Sequence, residues 1–118
     1  MPSEHEIQSA IMVAVSKHQC TIFRANVGKV KTIDGRWFDT GLPKGHPDLY
    51  GFKWSNGKVF YIEVKNAKGK PRPDQLQFHK FLTQIGIIHG LARSVDDALQ
   101  IIDEELVGYG FKDYGGKQ

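Results

Sequence analysis

Apolar residues return at helical spacing near the start of the chain, at Ile7, Ile11 and Ala14. That recurrence predicts a first helix over about Glu4 to His18. Ser3 and Glu6 form an S-x-x-E capping box, which gives two orphan helix N–H groups their acceptors. The pattern then shifts to β-branched and aromatic residues over Thr21 to Val27, which reads as a first strand. A Gly-bearing stretch from Gly28 to His46 follows, with room for short extended pieces around Lys31 to Ile33 and Arg36 to Phe38. Two further strand-like runs, Asp48 to Trp54 and Val59 to Lys65, flank Ser55-Asn56-Gly57-Lys58. The Asn56-Gly57 pair predicts a hairpin with a type I′ turn, which needs positive φ at both central residues.

The Lys/Gly/Pro-rich stretch from Asn66 to Arg72 is then a loop. Pro73 suits the first position of a second helix, with Asp74 and Gln75 in its first turn. Phe78, Phe81, Leu82 and Ile85 make its predicted apolar face, and Gly86 stops it. Ile87 to Ala92 reads as a short strand. Ser94 caps a last helix whose apolar side is Val95, Ala98, Leu99, Ile102 and Leu106. The order α-β-β-β-α-β-α predicts one α/β domain over residues 1–109, a short mixed sheet flanked by helices. The Gly-rich residues 110–118 are expected to form a flexible tail.

Composition narrows the function classes. The 118 residues fit a single domain, and 40% hydrophobic content supports one real core. No run approaches the ~18 apolar residues of a membrane span. The acidic, polar start Met1 to Glu6 is not a secretory signal. Cys20 is the sole cysteine, which excludes an internal disulfide and a cysteine-based zinc site, so a cytoplasmic setting is the expectation. The five histidines, His5, His18, His46, His79 and His89, make no H-x-x-x-H or H-E-x-x-H pair. Lys68-Gly69-Lys70 lacks the remaining residues of a P-loop, and no organic cofactor is expected.

The formal net charge is only +3, but its distribution matters. Lys65, Lys68, Lys70 and Arg72 fall together, as do Lys29, Lys31, Arg36 and Lys44, whereas the acids gather towards the two ends. A basic middle suits a polyanion, because Lys and Arg neutralise phosphates and release counterions. His46 reads first as a solvated loop residue. Trp37, Phe38 and Trp54 read first as packing residues, with stacking on bases as the alternative.

The chemistry is concentrated on the second hairpin strand. With a period of two, Phe60, Ile62 and Val64 share one face, and Tyr61, Glu63 and Lys65 share the other. Across the hairpin Asp48 starts the partner strand behind Gly45-His46-Pro47, where the proline cannot donate into the sheet. Two neighbouring carboxylates are hard oxygen ligands suited to Mg²⁺, which keeps waters and takes phosphate oxygens from a substrate. A lysine at the same edge can orient or deprotonate water, or neutralise charge developing on a phosphoryl group. This is the residue set of metal-assisted phosphodiester hydrolysis.

Pro47-Asp48 followed by Glu63-Val64-Lys65 resembles the signature of the PD-(D/E)XK, or restriction-endonuclease-like, nuclease superfamily. The wider pattern is similar to its VRR-NUC branch, the virus-type replication-repair nucleases. It comprises a helix with Glu4-His5-Glu6-Ile7-Gln8, then Gly45-His46-Pro47-Asp48, the Glu-x-Lys strand, and Gln75 on a helix ending at Gly86. The likeness runs from about Glu4 to Ile102. It implies a metal held by Asp48, Glu63 and the backbone carbonyl of Val64, with Lys65 as the catalytic lysine. Gln75 would support the site, and Glu4 would be the helical acid near the metal. Glu6, committed to the cap, and Gln77 are the competing choices. Lys68, Lys70, Arg72 and Lys44 are the residues expected to meet nucleic acid.

The resemblance implies a stand-alone, homodimeric Mg²⁺-dependent DNA endonuclease, with Mn²⁺ as a substitute, of a phage or bacterial setting. Branched DNA such as a Holliday junction is the expected substrate, because two sites related by a two-fold axis suit a symmetric junction. A sequence-specific restriction-type enzyme and a catalytically silent nucleic-acid-binding module are the alternatives.

Overall fold

The computed structural model describes residues 1–112, so residues 113–118 of the expected tail lie outside the description. The elements are α1 (Glu4–Ser16), β1 (Cys20–Arg24), β2 (Lys29–Lys31), β3 (Trp37–Asp39), β4 (Leu49–Lys53) and β5 (Val59–Val64), followed by α2 (Pro73–Gln84), β6 (Ile88–Ala92), α3 (Val95–Asp103) and β7 (Val107–Tyr109). Five strands form one mixed sheet in the order β1-β4-β5-β6-β7, and β2 and β3 pair with each other in a separate ribbon. The pairs β1/β4 and β4/β5 are antiparallel, whereas β5/β6 and β6/β7 are parallel. The mixed α/β architecture is the expected one, and β7 is a strand the periodicity did not predict.

Helices cover both faces. Ile7, Ile11 and Val15 of α1 and Ala98, Ile101 and Ile102 of α3 join Phe60, Ile62 and Val64 of β5 in one core. Val15, rather than the expected Ala14, is the third buried position of the α1 stripe. The opposite face of β5 meets α2, which explains why all of β6 is buried. The capping box at Ser3 and Glu6 forms in both directions, at 3.1 and 2.9 Å.

Three local expectations are corrected. The β4–β5 turn is not type I′, because only Gly57 takes positive φ (72°) and Asn56 does not. Gly57 N instead donates to Lys53 O at 2.9 Å and Lys53 N donates to Lys58 O at 2.9 Å, giving a longer turn that carries an exposed Trp54. The last helix ends at Asp103, before Leu106. Glu105 adopts φ 53°, and its carboxylate accepts from Lys53 Nζ (2.8 Å), Lys58 Nζ (2.8 Å) and Asn56 Nδ2 (2.9 Å) of that turn. This long-range tie places the chain for β7. Third, the buried side of α2 is Gln75, His79 and Leu82, whereas Phe81 and Ile85 of the predicted apolar face are exposed.

Candidate active site

Asp48, Glu63 and Lys65 meet at one end of the sheet. The β4/β5 register pairs Leu49 with Ile62, so Asp48 stands one step further along, level with the end of β5. Pro47 before it is buried, and Asp48 O accepts from Ala25 N (2.8 Å), which extends the β1 edge. The carboxylate is held as well, because Oδ2 accepts from Val64 N at 2.9 Å. Gly45 makes the approach possible. Its φ is +86°, and a Cβ there would lie 2.3 Å from Asp74 O, so a side chain is excluded by both backbone conformation and space.

Glu63 is completely buried. Its Oε2 accepts from Gln75 Nε2 at 2.9 Å, and Gln75 Oε1 accepts from Arg72 N at 2.9 Å, which fixes the orientation of the amide. Its Oε1 lies 3.1 Å from His79 Nε2. Burial, then the charge of Asp48 and a hydrogen bond shared with it, push the Glu63 carboxyl up to about 10, against the opposing pull of Lys65 and Arg72. Two carboxylates pressed together in a poorly solvated place resist double ionisation.

Behind Glu63 runs a buried polar chain. His79 Nδ1 is 2.8 Å from His89 Nδ1, and His89 Nε2 is 2.7 Å from Thr83 Oγ1. Phe111 covers the pair, its ring centroid 4.5 Å from that of His79, so the first part of the expected tail is packed. Burial, with the neighbouring charges of His89 and His46, pushes His79 down to about 3, and burial pushes His89 down to about 4. Both rings are therefore neutral near pH 7, and each has one N–H. Were Glu63 ionised, as a cation beside it would favour, the donors could only run from the Thr83 hydroxyl to His89 Nε2, from His89 Nδ1 to His79 Nδ1, and from His79 Nε2 to Glu63. Sequence reading missed His79, His89 and Thr83 as site residues. The signal was a histidine four residues after Gln75, on the same side of the helix.

Lys65 is only 5% exposed, and among the described residues no hydrogen bond or ion pair holds its ammonium. Glu4 approaches from α1: a Cβ on Gly69 would lie 2.8 Å from Glu4 Oε2 and 3.4 Å from Lys65 Cβ. Glu6 is turned to the cap of α1, and Gln77 faces solvent. The loop after Lys65 is ordered by Arg93, whose Nη1 donates to Asn66 O (2.5 Å) and Gly69 O (2.8 Å), a second contribution sequence reading missed. Lys68 and Lys70 are exposed on the loop after Lys65, Lys44 is exposed next to Gly45, and Arg72 is exposed beside Asp74, 3.3 Å away. His46 is not a solvated loop residue: its Nδ1 lies 2.8 Å from Pro47 O and its ring sits among Tyr50, Tyr61 and Phe78.

Three or more His, Cys, Asp or Glu side chains do not gather into a cation cage among the described residues. The donor set does fit a hard cation of the Mg²⁺ kind, which uses one or two carboxylates and fills its remaining positions with water and phosphate. The raised Glu63 carboxyl points the same way, since a cation between Asp48 and Glu63 would relieve their repulsion. No helix among the described residues is long and apolar enough to cross a membrane.

No protein-family model matches the sequence, and no curated protein sequence matches it. The structure is similar to a solved VRR_NUC domain, with a TM-score of 0.62 and 20% identity over 87% of this chain and 97% of that one. At that identity the likeness is one of fold.

Proposed function

We propose that this chain, which has the fold of a VRR_NUC domain, is a metal-dependent DNA endonuclease acting through Asp48, Glu63 and Lys65. The observation that carries the reading is the meeting of two constrained carboxylates with a buried lysine whose ammonium is held by no hydrogen bond or ion pair among the described residues. A fold that needed these groups only for stability would pair that lysine with one of the acids.

Asp48, Glu63 and the Val64 carbonyl would hold Mg²⁺ or Mn²⁺. When bound, such a cation supplies Lewis-acid polarisation of the phosphoryl group and acidifies the attacking water. The chain's own groups do the rest. Gln75 and His79 hold the two oxygens of Glu63 in place, and Val64 N holds Asp48. Lys65 aims its ammonium at the charge that grows on the phosphoryl oxygens, or orients the water. Lys44, Lys68, Lys70 and Arg72 steer and anchor the flanking phosphates, and Glu4 completes the acidic edge. Branched DNA cut by a homodimer is the substrate reading we favour, as two sites across a two-fold axis match the two strands of a junction.

The test is cleavage of labelled duplex, flap and four-way junction DNA in Mg²⁺ and in EDTA, by wild type and by Asp48→Asn, Glu63→Gln and Lys65→Met. Branched DNA should be cut in Mg²⁺ alone, and each variant should be silent with an unchanged fold. Full activity in EDTA, or in either carboxylate variant, overturns the mechanism. Cutting of plain duplex at one defined sequence, with junctions untouched, marks the restriction-type alternative.

A further inference from the structure

The β2–β3 ribbon lies outside the main sheet, and its side chains are not those of a solvated loop. Trp37 is 67% exposed, Phe38 57%, and Ile33 at the tip is completely open. A two-stranded ribbon with apolar side chains on its surface is marginal by itself, which makes a bound partner the natural cover. Its register, Lys29↔Asp39, Val30↔Phe38 and Lys31↔Trp37, places Lys29, Lys31 and Trp37 on one face, with Asp39 opposite Lys29. The two acids of the ribbon are engaged locally: Asp34 pairs with Arg36 at 2.8 Å, and Asp39 Oδ1 accepts from Gly41 N at 2.8 Å. The Lys29 and Lys31 ammonium groups make no ion pair or hydrogen bond among the described residues, so their charge is available.

The feet of the ribbon fix where that charge is presented. Thr40 N donates to Gly28 O (2.9 Å) and closes its base, while Ala25 N bonds Asp48 O on one side and Gly45 packs on Asp74 on the other. The ribbon therefore joins the segment that ends at Ala25, bonded to Asp48, to the segment that leads through Gly45 into Asp48.

We propose that the β2–β3 ribbon is a nucleic-acid-gripping arm, with Lys29 and Lys31 taking backbone phosphates and Trp37 stacking on an unpaired base beside the scissile phosphate. The inference rests on the nuclease reading and deepens it, because an exposed indole needs a base face that intact duplex hides. An arm of this kind would give the site its preference for branched or single-stranded regions with no base-specific contact.

The experiment measures fluorescence-anisotropy affinities for single-stranded, four-way-junction and intact duplex DNA across a salt series. It is done in the non-cutting Asp48→Asn background, with and without Lys29→Ala/Lys31→Ala and Trp37→Ala. All three residues are exposed, so melting temperatures should not move. The double lysine variant should weaken binding to every substrate and lower the slope of log affinity against log salt on duplex by about 1.8, from two lost phosphate contacts. Trp37→Ala should weaken single-strand and junction binding at least about five-fold and leave intact duplex unchanged. Affinities and salt slopes equal to the background in both variants overturn the arm. A wild-type mass in light scattering that falls by half in either variant also overturns it, and makes the ribbon an interface between two copies. Wild type that neither binds nor cuts any of these DNAs defeats the nuclease reading itself. Wild type that binds and cuts, beside variants that bind as it does, defeats the arm alone.

Discussion

His79 Nε2 lies 3.1 Å from Glu63 Oε1, inside the protein and away from solvent, so a helix residue outside the Pro-Asp and Glu-x-Lys motifs orients the most buried acid of the site. Because His79 is itself held by His89, and His89 by Thr83, the carboxylate is positioned by a chain that spans α2 and β6. Groups that hold a ligating carboxylate matter almost as much as the carboxylate.

His79→Leu should therefore lower cleavage about 10- to 100-fold, with a matching loss of Mn²⁺ affinity in calorimetry. His79→Gln, which can still donate to Oε1, should recover much of both. Equal losses in the two variants would show that ring packing under Phe111, and not the hydrogen bond, is what His79 provides.

Mg²⁺ or Mn²⁺ should raise the melting temperature of the wild-type protein, since a ligand that binds only the folded state stabilises it by mass action. Asp48→Asn should abolish that increment while the apo-protein melts normally. The amide oxygen can still accept from Val64 N, so only the charge is lost. A wild-type melting temperature indifferent to both cations would count against the site.

Glu105 gives a pH signature far from the site. Its hydrogen bonds to Lys53, then to Lys58 and Asn56, hold the carboxyl down at about 2, below the ordinary value of 4.5. The folded state thus favours the ionised form. Its contribution is fully present above pH 4.5 and is lost as pH falls towards about 2. Urea midpoints should show wild type more stable than Glu105→Gln at pH 7, with the gap closing between pH 4.5 and 2. The group is reached by solvent, so salt should shrink the gap as well.

Gly45→Ala should destabilise the fold by more than about 1 kcal/mol, because it meets positive φ and the Asp74 carbonyl together. Gly57→Ala has the first problem without the second, since nothing lies within 4 Å of a Cβ there. Denaturation midpoints of the two variants separate the cost of crowding from that of conformation.

Much of this protein was decided by short-range rules. Alternation along Val59 to Lys65 put Glu63 and Lys65 on one face, and the capping box and Ile7/Ile11 spacing located α1. The segments around Asn56-Gly57 paired as expected, because their hydrophobic alternation sets the register even though the turn between them took another form. The motifs Pro47-Asp48 and Glu63-Val64-Lys65 alone carry the resemblance that implies the fold.

Tertiary structure decided the rest, and in each case through a partner distant in sequence. Hydrophobicity turned α2 the wrong way, towards Phe81 and Ile85, because the buried Glu63 draws Gln75 and His79 inward to satisfy its oxygens. A buried carboxylate without donors costs more than two exposed apolar side chains. Likewise β7 follows from Glu105 being caught by Lys53 and Lys58 across the molecule, a contact no local pattern encodes. The sequence determined which residues could do chemistry and on which strand they stand. Only the folded chain determined what holds Glu63, because that depends on His79 and His89 meeting across a sheet and a helix.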